Sequence, residues 1–313
     1  MRPELAINME HKTGEQVMTT LDAPRVCGLT LNWNRWPDTV ACLESLMAQT
    51  VPLVEISVVD NGSVDDSVEQ IRRRFPQVTL LRMQRNLGFA AGCNLGLERA
   101  LALDYDYVLL VNNDTVLAPD MLACLLREAH PDVGILSPKI FYAPHSDRIW
   151  SIGGRCHPLT FEKTGDARGQ RDDARRFKTG ERDYLVGCGM LLSLKALRKV
   201  GLLDTRFFMY YEDSYLSLRF RQAGLKLMMV GDAHMWHKVA TSSGGADSPA
   251  ERYLMAKSSV IFFRKHVHGL RWFIVGPYRL GSAIKMTGRL IWGRRPAAAQ
   301  AYWRGLLAGW MNR

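Results

Sequence analysis

Val108-Leu109-Leu110-Val111-Asn112-Asn113-Asp114 decides the fold. Four consecutive apolar residues form the pattern of a short strand covered on both faces, and Tyr105 to Tyr107 lead into it. The run ends abruptly in three polar residues. Thr115 to Ala118 reads as a turn, and Pro119 opens a helix expected over Asp120 to His130. A carboxylate at the carboxyl end of a central parallel strand stands where open α/β sheets hold their ligands. Asp114, with Asn112 two residues before it, offers oxygen ligands to a divalent cation, which can in turn hold a diphosphate. The competing reading is an Asx-rich turn that only caps the next helix.

Outward from this strand the chain alternates. Strands are expected at Val26 to Trp33, Val54 to Val59 and Val78 to Met83. Helices are expected at Pro37 to Gln49, from Asp65 and Asp66 to Phe75, and from the Asn86 to Asn94 segment to about Leu103. Alternation over residues 26 to 130 predicts an α/β fold, a mostly parallel sheet with helices on both faces. Polar clusters recur at strand ends, which builds one ligand rim. Beyond residue 130 the order loosens. Val133 to Ile140 and Leu225 to Val230 read as strands, Ser214 to Ala223 as a helix closed by Gly224, and Glu162 to Asp183 as a mobile surface loop.

With 313 residues, 47% hydrophobic and 23% charged, the chain suits one large domain or two smaller ones. Residues 1 to 24 are mixed polar and read as disordered, with no secretory signal pattern. Cys27, Cys42, Cys93, Cys124, Cys156 and Cys188 form no CxxC pair, which argues for reduced thiols in the cytoplasm and against a zinc site. Charge is unevenly placed. Twelve of the 41 Lys and Arg residues lie beyond Glu251, the last acid, leaving 29 bases against 31 acids before them. A near-neutral body with a +12 tail points to an anionic surface as partner.

Four constellations carry chemistry. Asp60, directly after an apolar strand, can accept from a base N–H or a ribose hydroxyl; alternatively it is a turn aspartate. Gly88 and Gly92 at a helix start permit close backbone approach to a ligand, or tight helix packing. This segment is not a GxGxxG dinucleotide fingerprint. Glu212-Asp213 follows the aromatic run Phe207, Phe208, Tyr210 and Tyr211; apolar surroundings raise a carboxylate's pKa and suit it to general-base work, the alternative being two acids that favour a helix start. His234 and His237 flank Trp236 after a strand, where only one is expected to point inward. No Ser-His-Asp or Cys-His set stands out.

In order along the chain, Asp60-Asn61-Gly62-Ser63, the Asn86, Gly88, Phe89, Ala90, Gly92, Asn94 pattern, Asn112-Asn113-Asp114, Gly187-Cys188-Gly189-Met190 and Phe208 with Tyr210-Tyr211-Glu212-Asp213 resemble the family-2 inverting glycosyltransferases. The resemblance spans about residues 25 to 265 and is nearest to the rhamnosyltransferase-like branch that builds bacterial surface polysaccharides. It implies a GT-A fold over 25 to 265, a nucleotide-diphosphate-sugar donor and Mg2+ or Mn2+. It implies nucleotide contacts at Thr30, Asn32, Asp60, Asn86, Gly88, Asn94 and Asn113, and metal contacts at Asp114 and His237. Asp213 is the implied acceptor-side base with Glu212 beside it, and Gly187, Cys188, Gly189, Met190 and Tyr211 face the acceptor. Thr241-Ser242-Ser243-Gly244 matches the family's polar loop. The family's DxD motif is here Asn112-Asn113-Asp114, so only its last carboxylate remains.

The implied reaction moves a sugar, L-rhamnose in that branch, to a hydroxyl of a glycan or polyprenyl-diphosphate-linked acceptor in bacterial surface glycan synthesis. Residues 266 to 313 read as a basic amphipathic helical tail. Its apolar residues are interrupted by Arg279, Lys285 and Arg289, so none of its runs reaches the ~20 residues that span a bilayer. Gly276-Pro277 is expected to break or kink it. A Trp-bearing apolar face beside bases fits a helix lying in an anionic membrane interface, hence peripheral association with the inner face of the plasma membrane, and does not suit nucleic acid; the alternative is a helical subdomain whose aromatics pack on the catalytic body, its bases merely solvated. The rival functions are a sugar-phosphate nucleotidyltransferase, whose Gly-rich basic phosphate loop is not found at Thr30 to Trp36, and a non-catalytic polybasic membrane binder.

Overall fold

In the computed structural model the element order begins with β1 (Val26–Asn32), α1 (Trp36–Met47), β2 (Glu55–Asp60), α2 (Ser67–Arg74), β3 (Thr79–Arg82), α3 (Phe89–Ala102) and β4 (Tyr107–Asn112). It continues through β5 (Thr115–Leu117), α4 (Met121–Arg127), β6 (Val133–Tyr142), β7 (Ile149–Ser151), β8 (Arg155–Cys156), β9 (Lys163–Thr164), β10 (Gly180–Glu181), β11 (Gly189–Ser193), α5 (Leu194–Val200) and α6 (Glu212–Gln222). β12 (Lys226–His237) and the helices α7 (Pro249–His266), α8 (Trp272–Trp292) and α9 (Pro296–Met311) complete it. The structure describes residues 24–239 and 245–311. The expected disorder of residues 1 to 24 (Pro24 apart) and the loop Thr241 to Gly244 therefore lie outside the described residues.

The apolar run at 108 to 111 forms the middle of one large sheet, ordered β10-β12-β6-β11-β4-β1-β2-β3. Val108 and Leu110 face one layer, where α3 supplies Cys93 and Leu97. Leu109 and Val111 face the other, against Leu43 and Leu46 of α1 and Met121 and Leu122 of α4. Both sets are at most 1% exposed, which is why this strand has no polar alternation. β3, β2, β1 and β4 pair in parallel, whereas β11 is antiparallel to both β4 and β6. The strand order reverses at β1, so the carboxyl ends of β1 and β4 frame the crevice that such sheets use for ligands.

Three expectations about the sheet and the loop beside it are corrected. Thr115 to Ala118 is not a turn: Thr115 to Leu117 form β5, antiparallel to β12 with Thr115 opposite His237. β12 itself does not stop at Val230 but passes through an irregularity between Val230 and His234 and continues to His237. Residues 162 to 183 are not a free loop. They supply β9 and β10, bury Ala167 and Phe177, and place Asp172 2.8 Å from the ammonium of Lys139, which is 1% exposed on β6.

In the C-terminal helices, α8 runs on through Pro277 rather than breaking there. The missing N–H falls one turn into the helix, opposite the carbonyl of exposed Phe273, where water can satisfy it. α9 returns along α7 at close range: a Cβ on Gly305 would lie 2.3 Å from the Tyr253 carbonyl oxygen, so only glycine admits the two backbones. Ala256, Ala298, Ala299 and Tyr302 are buried in this contact, which crosses the expected 265/266 boundary.

Candidate active site

The β5–β12 pairing assembles the polar end of β4. Residues Asp114 and His237 are distant in sequence, yet Lys238 N donates to the Asp114 carbonyl at 3.0 Å and His237 Nε2 lies 3.1 Å from Asp114 Oδ1. Trp150 from β7 stands edge-on to the His237 ring at 4.6 Å. His234, three residues earlier on the same strand, faces away and meets the Gly231 carbonyl at 3.1 Å.

Beneath this pair runs a buried polar chain. Asn113 Nδ2 donates to Thr39 Oγ1 (2.9 Å), Thr39 Oγ1 to Asn32 Oδ1 (2.7 Å), and Asn32 Nδ2 to Asp60 Oδ1 (3.0 Å). Ser63 N caps the other Asp60 oxygen at 3.1 Å. Asn32 and Asp60 are fully buried, as is Thr30, so these three form the floor rather than the lining. Asn61, on the opposite side of the strand end, reaches the rim, where its amide donates to Asn86 Oδ1 at 3.0 Å.

The acidic pair arises from a strained turn. Tyr210 and Tyr211 both adopt left-handed backbone, φ 69° and 71°, at a cost of roughly 1–3 kcal/mol each. The turn is fastened on both sides: Phe89 N donates to the Phe208 carbonyl at 2.7 Å and Ser258 Oγ to the Met209 carbonyl at 2.8 Å. Gly88, φ 90°, serves this fastening, because a Cβ there would fall 2.4 Å from the Phe208 oxygen; the close approach it permits in this structure is to protein backbone. The Asn94 side chain is likewise held, donating to the Leu203 carbonyl and accepting from Leu203 N.

The turn aims Asp213 at the cavity and buries Glu212 in the cavity wall. Asp213 Oδ2 accepts from Gly187 N at 3.1 Å, and Oδ1 from the Ser214 hydroxyl at 2.9 Å. Lys163 donates to the Ser214 hydroxyl at 2.6 Å from a seat over the Tyr184 and Tyr211 rings. Glu212 is buried; burial first, then the neighbouring Asp213 charge, push its carboxyl up to about 8. Cys188, between the two acidic centres, is pushed well above the usual thiol range by burial and by the charges of Asp114 and Asp213. It is a protonated thiol at neutral pH and not a nucleophile.

One cavity of about 830 Å³ joins these parts. Of the expected site residues, Asn86, Asn113, Asp114, Gly187, Cys188, Tyr211, Glu212, Asp213 and His237 line it; Thr30, Asn32, Asp60, Gly88, Asn94, Gly189 and Met190 do not. Gly189 and Met190 belong to β11 and are buried against β4. Sequence reasoning missed Trp33, Asn61, Trp150, Lys163, Arg168 and Arg279. Asn61 was within reach, as the next residue after Asp60 on the other side of the strand. Lys163, Arg168 and Arg279 carried no such signal, since they lie in segments that read as loop and tail.

The donor chemistry at Asp114 suits a divalent cation shared with a diphosphate. A carboxylate and an imidazole meet there, and among the described residues both Asn112 Oδ1 and His237 Nδ1 are buried without a hydrogen-bond partner. Among the described residues no group of three or more His, Cys, Asp or Glu comes together, so a cation held here would draw its other ligands from outside the protein, as Mg2+ sites commonly do.

The glycosyl transferase family 2 model matches residues 30–201, and the chain belongs to that family. It is 28% identical to the N-acetylglucosaminyl-diphospho-decaprenol L-rhamnosyltransferase of Mycobacterium tuberculosis over 293 residues, 85% of this chain and 94% of the relative. Among solved structures, the chain is similar to GalNAc-T7 with UDP, GalNAc and Mn2+ (TM-score 0.60, 16% identity, 77% of this chain), of which it spans about half, 48%. It is also similar to mannosyltransferase PcManGT of Pyrobaculum calidifontis with GDP-Man and Mn2+ (TM-score 0.56, 19% identity, 89% of this chain and 74% of that one). These likenesses establish the GT-A fold.

Proposed function

We propose that this glycosyltransferase moves a sugar, L-rhamnose by analogy with its mycobacterial relative, from a nucleotide-diphosphate donor to a hydroxyl of a polyprenyl-diphosphate-linked acceptor, with inversion. The observation that carries the reading is that Asp213 and the Asp114–His237 pair line one cavity with Gly187 and Cys188 between them.

The donor diphosphate lies toward Asp114, and Asn61, Asn86 and Asn113 face its nucleotide. Asp114 and His237 would hold a divalent cation, which would supply neutralisation of the charge on the leaving diphosphate. Asp213 accepts the proton of the acceptor hydroxyl as that oxygen bonds to the anomeric carbon and the carbon–diphosphate bond breaks. The nucleoside diphosphate leaves with the bonding pair. A single displacement inverts the centre, and it asks for no protein nucleophile, in keeping with a protonated Cys188.

A lipid-linked acceptor sets the enzyme at the cytoplasmic membrane face, and the C-terminal helices suit that place. Among the described residues no helix is long and apolar enough to cross a membrane. Phe273, Ile284 and Trp292 of α8 are exposed, in a stretch with bases and no acids.

The test is transfer from a panel of nucleotide sugars to a polyprenyl-diphosphate-linked N-acetylglucosamine, read by mass and by the anomeric configuration of the product. The expected result is one preferred donor, inverted product, and loss of activity with EDTA or in Asp114→Ala. Retained configuration, or EDTA-insensitive turnover, overturns the mechanism.

A further inference from the structure

A second recess, about 270 Å³, lies between α7, α8 and α9. Its walls are Val260, Trp272, Leu280, Leu306, Leu307 and Trp310, with Trp272 and Trp310 paired at 5.9 Å. Leu280, Leu307 and Trp310 are more than half exposed at its rim. Two residues, Phe263 and Arg279, also line the 830 Å³ catalytic cavity, so the two spaces share a wall. Among the described residues Arg279 is the one charged side chain lining the recess. Its guanidinium sits 4.4 Å over the Phe263 ring and donates to Ser259 Oγ at 2.8 Å, so its partners there are a ring and a hydroxyl rather than a carboxylate.

An apolar trough that meets a catalytic cavity at an arginine has the polarity of an amphiphile with a phosphate next to its hydrocarbon. We infer that this groove receives the first isoprene units of a polyisoprenyl-phosphate acceptor, with Arg279 meeting the phosphate nearest the chain. This rests on the lipid-linked acceptor proposed above and adds where the lipid lies. Pockets for drug-sized molecules run to about 300–1,000 Å³, so this one takes only the start of the chain, and the rest stays in the bilayer. The exposed Leu and Trp rim marks the exit. A guanidinium binds phosphate with fixed geometry, which sets the distance from lipid anchor to reacting sugar.

Glycine positions on α8 provide a matched test. A Cβ on Gly276, in the groove wall, or on Gly281, outside it, meets nothing within 4 Å, so leucine fits the helix at either place. Binding of farnesyl phosphate to the full chain, without donor or sugar acceptor, is followed by tryptophan fluorescence. The inference expects saturable binding that Gly276→Leu weakens roughly 10- to 100-fold, the worth of a few buried methylenes, and that Gly281→Leu leaves unchanged. Arg279→Gln should bring farnesyl phosphate down to the affinity of farnesol. No saturable binding by the wild-type chain, or equal effects of Gly276→Leu and Gly281→Leu, overturns the groove. Because the probe carries no sugar, such a failure leaves transfer to a lipid-linked acceptor standing; absent transfer with intact farnesyl phosphate binding would sink the proposed function alone.

Discussion

Glu212 and Asp213 are adjacent in sequence and differ in surroundings. Both were legible as an acidic pair after an aromatic run, but their division of labour was not, because it depends on the left-handed turn at Tyr210 and Tyr211. Both line the cavity, but Glu212 is buried in its wall, where burial pushes its carboxyl up to about 8. The folded pKa of Glu212 lies above its ordinary value of 4.5, so the native state binds the extra proton between those limits. The stability this contributes is complete below about pH 4.5 and is lost as pH rises through about 8. Thermal melts from pH 5 to 9 should therefore show wild type losing Tm toward alkaline pH more steeply than Glu212→Gln. Parallel slopes would show that Glu212 ionises freely. The residues expected at the nucleotide were legible as a set of strand ends, but Thr30, Asn32 and Asp60 were not legible as floor, since burial depends on Thr39 and Ser63 reaching across from other segments.

Among elements, the parallel half of the sheet could be read from periodicity because its strands are short, apolar and separated by amphipathic helices. β5 could not. Thr-Val-Leu is too short to show alternation, and it is a strand only because β12 runs past it. That unread pairing is what brings His237 to Asp114. Residues 162 to 183 misled in another way: high charge suggested solvent, yet one of those charges, Asp172, neutralises buried Lys139. Asp172→Ala should destabilise the fold by about 3 kcal/mol in urea denaturation, because it leaves an ammonium buried without its partner. Adding Lys139→Met should recover much of the loss. A single variant within ~0.5 kcal/mol of wild type would mean the segment is not held by this pair.

At the scale of the whole molecule, the charge split separates a near-neutral catalytic body from basic helices that contain no acid beyond Glu251. Each base near an anionic leaflet contributes about 1 kcal/mol, enough in combination for reversible docking. Truncating the tail is a poor test, since α9 packs on α7 and its removal would expose Ala256 and its neighbours. Phe273→Ser, Ile284→Ser and Trp292→Ser together touch only exposed positions. The full chain should co-sediment with anionic vesicles, less so at high salt, and the triple variant should sediment less at every salt concentration. Equal sedimentation would remove these residues from the membrane contact. The central claim is that donor binding and proton removal occupy opposite sides of one cavity. Paired measurements on Asp213→Asn test it most directly: donor affinity by calorimetry, and turnover with donor and acceptor saturating. The account predicts donor affinity close to wild type with turnover lowered about 10²–10⁴-fold, the worth of a general base. Near-normal turnover, or donor affinity lost together with turnover, would contradict it.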